Sequence, residues 1–325
     1  MDQLPDLRAW GSGTKPELAE REVRRLENLI GDADNAINAE RRIIVHDGPL
    51  QSHLLSLAAL EASQKQLISQ LAAIMEKRDT EVVDFALDGP RYTAHRASAK
   101  ALSLFLSAMQ QLYLRVGQAV GSSRITPRVP LEISSLCQLE VAGFFPSSFG
   151  IRFAAPTRAD YGGYSLAATT LETTFELVNS PNPLEHAGKV GHWGMSKYRQ
   201  LVKTLIEAEA TPKVRWRTPN GSDRQWITDT GHLLTLANRL THIRDLAPKT
   251  IEDSGTLIGA SLRRRKFEFE GSHGVISGTA PHELADKVTQ HFGKHCRIVF
   301  VETTYVDDTT EQEKRTRTLI DVTET

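Results

Sequence analysis

At 325 residues, with 40% apolar and 24% charged side chains, the chain is long enough for more than one core and too balanced in composition to be mainly disordered, collagenous or membrane-embedded. Its formal net charge of -1 gives it no global attraction for nucleic acid or for an anionic surface. No apolar run reaches the roughly 18 residues of a membrane span, the opening MDQLPDLRAW lacks the pattern of a secretory leader, and two cysteines, Cys137 and Cys296, make no disulfide framework. A cytoplasmic protein with no membrane partner is the expectation.

The charge is unevenly distributed. Residues 1–120 carry 14 Lys+Arg against 16 Asp+Glu, and residues 121–188 carry 4 against 6. Residues 189–270 carry 15 against 9, and residues 271–325 return to 6 against 9. The excess positive charge therefore lies in one stretch of the chain, a candidate basic face.

From Pro16 the apolar positions Val23, Leu26, Ile30, Ala33, Ile37 and Ile44 advance in steps of three and four, which predicts a long helix with a heptad seam. HDGP at residues 46–49 is a turn signal, and Leu50 to Met75 reads as a second helix with Leu57, Leu60, Leu67, Leu71 and Ile74 on one stripe. Together they form an αα-hairpin arm over residues 1–79. Val23, Leu26, Ile30 and Ile37 are its candidate self-association residues.

Glu81 to Leu87 alternates as a strand, and Thr93 to Val120 reads as a buried helix. Leu131 to Ala142 and Phe149 to Ala154 suggest two strands. Ser165 to Val178 suggests a helix weakened by threonine, Leu184 to Ala210 a further helix, and His232 to Leu246 another. Between these last two, Lys213 to Arg217 and Arg224 to Thr228 alternate around Asn220-Gly221, a hairpin signal. Residues 80–248 thus read as an α+β domain. After Lys249 five short strands with one helix near Pro281 to Phe292 predict a small, mostly antiparallel β-barrel or roll over residues 249–325. The fold class expected for the whole chain is α+β.

Chemistry-bearing motifs are scarce. Neither GxxxxGK[ST] nor GxGxxG occurs, so no nucleotide cofactor is expected. His291 and His295, with Cys296, His273 and His282 nearby, lack HExxH or CxxC spacing, and no metal ligand set is assigned. The most specific pattern is the basic hairpin. Period two places Lys213, Arg215 and Arg217 on one face and Trp216 on the other, with Arg224 on the return strand. Arg263, Arg264, Arg265 and Lys266 form a second basic run. Cations in this density bind phosphate, and an exposed Trp216 would stack a base, whereas a buried one belongs to the core. These features lead to the expectation of a non-enzymatic accessory or regulatory interaction protein that forms a homo-oligomer or recruits a protein partner, its basic residues a candidate nucleic-acid surface. The alternative is a metal-dependent hydrolase or nuclease with its site in the α+β domain.

Overall fold

A computed structural model describes residues 8–324 apart from 49, 94–95, 123–127, 146, 158–164, 246–247, 262–264, 273 and 308–311. The protein is α+β. Two helices, α1 (Pro16–Asp47) and α2 (Gln51–Met75), form the hairpin that the two apolar stripes predict. Val23, Leu26 and Ile30 close against Leu71 and Met75 near the base of the hairpin, where Trp10 completes a small core.

Next come β1 (Thr80–Asp88), the two-residue strands β2 (Tyr92–Thr93) and β3 (Arg96–Ala97), and α3 (Ala99–Gly121). They are followed by α4 (Leu131–Leu136), β4 (Glu140–Phe145), β5 (Gly150–Pro156), α5 (Leu166–Asn179), α6 (Leu184–Glu207), β6 (Thr211–Arg217), β7 (Asp223–Ile227) and α7 (Thr230–His242). The main sheet runs β4-β5-β1-β6-β7, antiparallel throughout. In chain order, β1-α3-β4-β5-α5/α6-β6 with sheet order β6-β1-β5-β4 is a split βαβ arrangement, and β7 extends it by one strand. Alternate residues Val83, Phe85, Ile151, Phe153, Val214 and Trp216 point into one core shared with α3, α5 and α6. The opposite face of the sheet stays solvated, as an antiparallel sheet allows.

Local chemistry explains two departures from propensity. The threonines of α5 are tolerated because Thr169, Thr170, Thr173 and Thr174 each donate a hydroxyl to the carbonyl four residues back, while Ser165 caps the helix by accepting from the Ala168 amide. The helix α6 breaks at Gly191, whose φ of 67° suits a residue without a Cβ.

The strands β8 (Ile243–Asp245), β9 (Lys249–Ser261), β10 (Lys266–Gly271) and β11 (Gly274–Thr279), then α8 (Ala285–Gln290), β12 (His295–Asp307) and β13 (Gln312–Glu324) complete the chain. The first half of β9 pairs with β12 and its second half with β10. β11 meets β13 in parallel and β13 returns to β12, so five strands close a ring in the order β9-β10-β11-β13-β12. With a helix between the third and fourth strands, this is the strand order of an OB barrel. Leu257, Phe267, Phe269, Ile298, Phe300 and Leu319 fill it. β8, from the residues before Pro248, joins the same sheet at β12. Among the described residues no helix is long and apolar enough to cross a membrane.

Three readings need correction. Residues 131–142 are a short helix followed by a strand, because Pro130 starts a helical turn and only from Glu140 does the chain pair with β5. The helix expected to reach Leu246 ends at His242, and the next three residues become β8 by pairing with β12, which no local pattern announces. The expected first barrel strand, Thr256 to Ser261, is only the second half of β9, since Lys249 to Gly255 pairs on the far neighbour β12.

Candidate interaction surfaces

The basic hairpin forms as its alternation predicts, and each of its cations faces a carboxylate. Lys213 Nζ lies 2.6 Å from Asp88, Arg215 2.8 Å from Asp223, and Arg217 2.5 Å from Glu20 of α1. Arg224 pairs with Glu172 of α5. The electrostatics agree. The hydrogen bond from Arg215 holds the Asp223 carboxyl below its ordinary range, and the bonds from Lys213 and Ser148 do the same for Asp88. A phosphate brought to this face would meet those carboxylates beside every cation. Trp216 is 1% exposed, and its indole N–H donates to Glu81 Oε2 at 2.7 Å. It is a core residue that no base can reach.

Of the second basic run, Arg263 and Arg264 lie outside the described residues. Arg265 donates to the Val120 carbonyl at the end of α3, and Lys266 is exposed at the start of β10. In OB barrels oligonucleotides lie across the second and third strands. Here the residues alternating with buried Phe267, Phe269 and Ile276 are Lys266, Glu268, Glu270, Val275, Ser277 and Thr279, which include two carboxylates and no ring for stacking. α1 also reaches this side of the barrel, with Arg42 3.7 Å from Glu268 and Arg41 4.0 Å over the Phe292 ring.

Among the described side chains, which do not include those of His273 and His282, the histidines do not converge. His291 shares its Nδ1 with the Lys287 carbonyl at 2.8 Å, Cys296 is buried in the barrel core, and His273 is outside the described residues. Among the described residues no three His, Cys, Asp or Glu side chains gather as a cation would require.

Val23, Leu26, Ile30 and Ile37 are at most 3% exposed within a single chain. What remains open on the hairpin is the other helix. α1 is fastened to the body: Arg217 and Asn220 of the β6–β7 turn bond Glu20 and Glu27, Arg24 bonds the Asn220 carbonyl, and Ser261 of β9 bonds Asp34. α2 has α1 as its one substantial neighbour among the described elements, and only Leu71 and Met75 of its 25 residues are buried. Toward its free end the contact with α1 is polar, through His53–Glu40, Gln64–Asp34 and Arg41–Glu61. The leucines there turn outward, with Leu50 56%, Leu54 46% and Leu55 65% exposed.

The outward face also has a pattern. Ser52, Leu55, Ala59, Ala62, Gln66, Ser69 and Ala73, all exposed, advance by three and four, and none is charged. Thirteen of the 32 residues of α1 are charged, against two of the 25 in α2. Of those two, Glu61 is turned to Arg41 and Lys65 flanks the seam. This second series is present in the sequence, but apart from Leu55 its residues are small or polar, so a search for large apolar residues at helical spacing passes over it.

No protein-family model, curated protein or solved structure matches the chain.

Proposed function

We propose that the protein is a non-enzymatic interaction protein that self-associates through the outward face of α2. The observation that supports this most is the uncharged heptad series on a helix whose one substantial neighbour among the described elements is α1. The exposed residues of α1 include Glu17, Arg21, Arg24, Arg25, Asp32 and Arg42, whereas the outward series of α2 carries no charge.

A second copy fits that face for two reasons. A two-fold self-contact sets the same patch on both copies, residue i against j and j against i, so an uncharged seam meets itself without repulsion. Its sizes are also complementary when reversed. Antiparallel pairing about Ala62 sets Leu55 of each copy against Ser69 and Ala73 of the other, large against small, whereas parallel pairing sets Leu55 on Leu55 and Gln66 on Gln66. At 25 residues α2 is about 37 Å long, enough for several layers of such contacts.

Light scattering on the purified chain tests this, with an expected mass of twice 36.1 kDa. Leu55→Lys with Ala59→Lys should return it to one copy while circular dichroism stays unchanged. Ala62→Cys should form an intermolecular disulfide under mild oxidation. A monomeric wild type, or a dimer indifferent to both changes, overturns the proposal.

A further inference from the structure

The main sheet ends in two unlike edges. β7 carries Asp223 and Arg224, and its turn is held by α1 through Asn220 and Glu27 at 2.7 Å. β4 has a single charge in six residues, Glu140, and among the described residues no strand pairs with its outer side. A bulge between Val141 and Gly143 re-phases β4: Val141 stands opposite Phe153, and Phe144, three residues on, stands opposite Ile151. Both side chains thus face the helix layer, yet the helices stop short of them, and they remain 49% and 58% exposed. Beside them is a cleft of about 360 Å³, walled by Leu106 and Gln110 of α3, Ser134 of α4, and Leu139, Val141 and Phe153. Gln110 sets one wall, donating to the Cys137 carbonyl and accepting from the Leu139 amide, each at 2.8 Å.

Three features select the occupant. An open strand edge offers main-chain N–H and C=O groups that an extended peptide satisfies by adding a strand. No charged residue lines the cleft, and Leu106, Leu139, Val141 and Phe153 form an apolar side beside the polar groups of Gln110, Ser134 and Gln138, so the side chain entering it is uncharged, with its apolar part against Leu106 and Val141. Glu132 on α4 and Glu140 at the head of β4 are exposed and stand in no ion pair among the described residues, whereas the cations of this sheet are paired. They call for a basic residue beside the inserted one. We infer that β4 and its cleft dock an extended segment of another polypeptide, which adds a sixth strand, seats an uncharged side chain with its apolar part against Leu106 and Val141, and sets a Lys or Arg against Glu132 or Glu140. This surface is distinct from α2 and does not depend on self-association.

The test is selection of the full-length protein against a displayed library of random short peptides, with the enriched sequences remade carrying a fluorophore and titrated by anisotropy. The expected winners alternate β-branched or aromatic residues with polar ones and contain a basic residue. Their affinity should fall by about tenfold or more on Val141→Glu and by about threefold on Glu140→Lys. Ile227→Glu on the opposite edge, 63% exposed in the wild type, should leave it unchanged. Near-ultraviolet circular dichroism verifies that each variant is folded. No enrichment over an empty support, or winners that bind the folded Val141→Glu chain as tightly as the wild type, overturns the inference.

Discussion

Arg78 and Glu81 form a buried, two-pronged ion pair, with both guanidinium–carboxylate contacts at 2.7 Å and side chains 1% and 0% exposed. Arg78 also caps the Arg217 carbonyl at 3.0 Å and lies over the Trp10 ring, while Glu81 accepts the Trp216 indole N–H. The pair therefore joins the hairpin base to the edge of the main core. Removing one partner strands a charge without solvent.

Arg78→Met should lower the free energy of unfolding by about 3–5 kcal/mol, and Arg78→Met with Glu81→Leu by less than that, because no lone charge is left behind. Urea titration of both variants measures this. A double variant as unstable as the single one would show that geometry, rather than charge, is what the pair supplies.

Trp216 and Arg215 are neighbours on one strand with opposite roles, so their variants should separate cleanly. Trp216→Ala should cost about 3–5 kcal/mol as a core truncation. Arg215→Ala, which loses only an exposed ion pair with Asp223, should cost less than about 1 kcal/mol. Titration of labelled single-stranded DNA at low salt should give no affinity change for folded Arg215→Ala. A fall in affinity there would restore the hairpin as a phosphate-binding surface.

Gly117 of α3 is packed on Cys137 so closely that a Cβ there would stand 2.2 Å from Sγ. Gly117→Ala should therefore destabilise by about 1–3 kcal/mol, and Cys137→Ala in the same chain should recover much of it. Burial raises the Cys137 thiol to about 11, so alkylation of the native protein at pH 8 should be slow, and fast only in denaturant. Rapid native labelling, mapped to Cys137 by mass spectrometry, would contradict this packing.

His186 is held below its ordinary value of 6.5, chiefly by burial, and its Nδ1 has no hydrogen-bond partner. The unfolded chain takes up a proton at this residue as pH falls through 6.5, and the folded chain does so only lower. This contribution to stability is full above 6.5 and is lost as pH falls through the depressed folded value. The melting temperature should decline from pH 7.5 toward 5.5, and His186→Gln should flatten that decline. An unchanged slope would assign the acid sensitivity elsewhere.

Much of the architecture was legible where one periodicity dominates. The hairpin follows from the stripe through Val23, Leu26 and Ile30, and the β6–β7 turn from Asn220-Gly221 between alternating strands. Legibility failed where a long-range partner decides. Lys249 to Gly255 is strand because β12 lies alongside, and β8 exists only through Tyr305 and its neighbours. The surfaces were harder still. Basic residues stand out in a sequence, but their paired carboxylates come from residues as distant as Glu20 and Glu172, and pairing is what changes their meaning. The series on α2 and the cleft at β4 are made of residues that an apolar pattern passes over, and their exposure is what brings them into view.

The fastening of α1 has a consequence for how the protein is made. Arg24 bonds a carbonyl 196 residues later in the chain, and Asp34 bonds a serine 227 residues later. At roughly 5–20 residues per second, a ribosome needs about 10–45 s to deliver those partners. During that interval the hairpin has left the exit tunnel with its outer helix complete and its inner helix bare on the side that will meet the sheet and barrel. On a polysome, nascent copies in that state lie close together with their α2 faces already formed, so the self-association proposed for α2 would begin before either chain has finished folding.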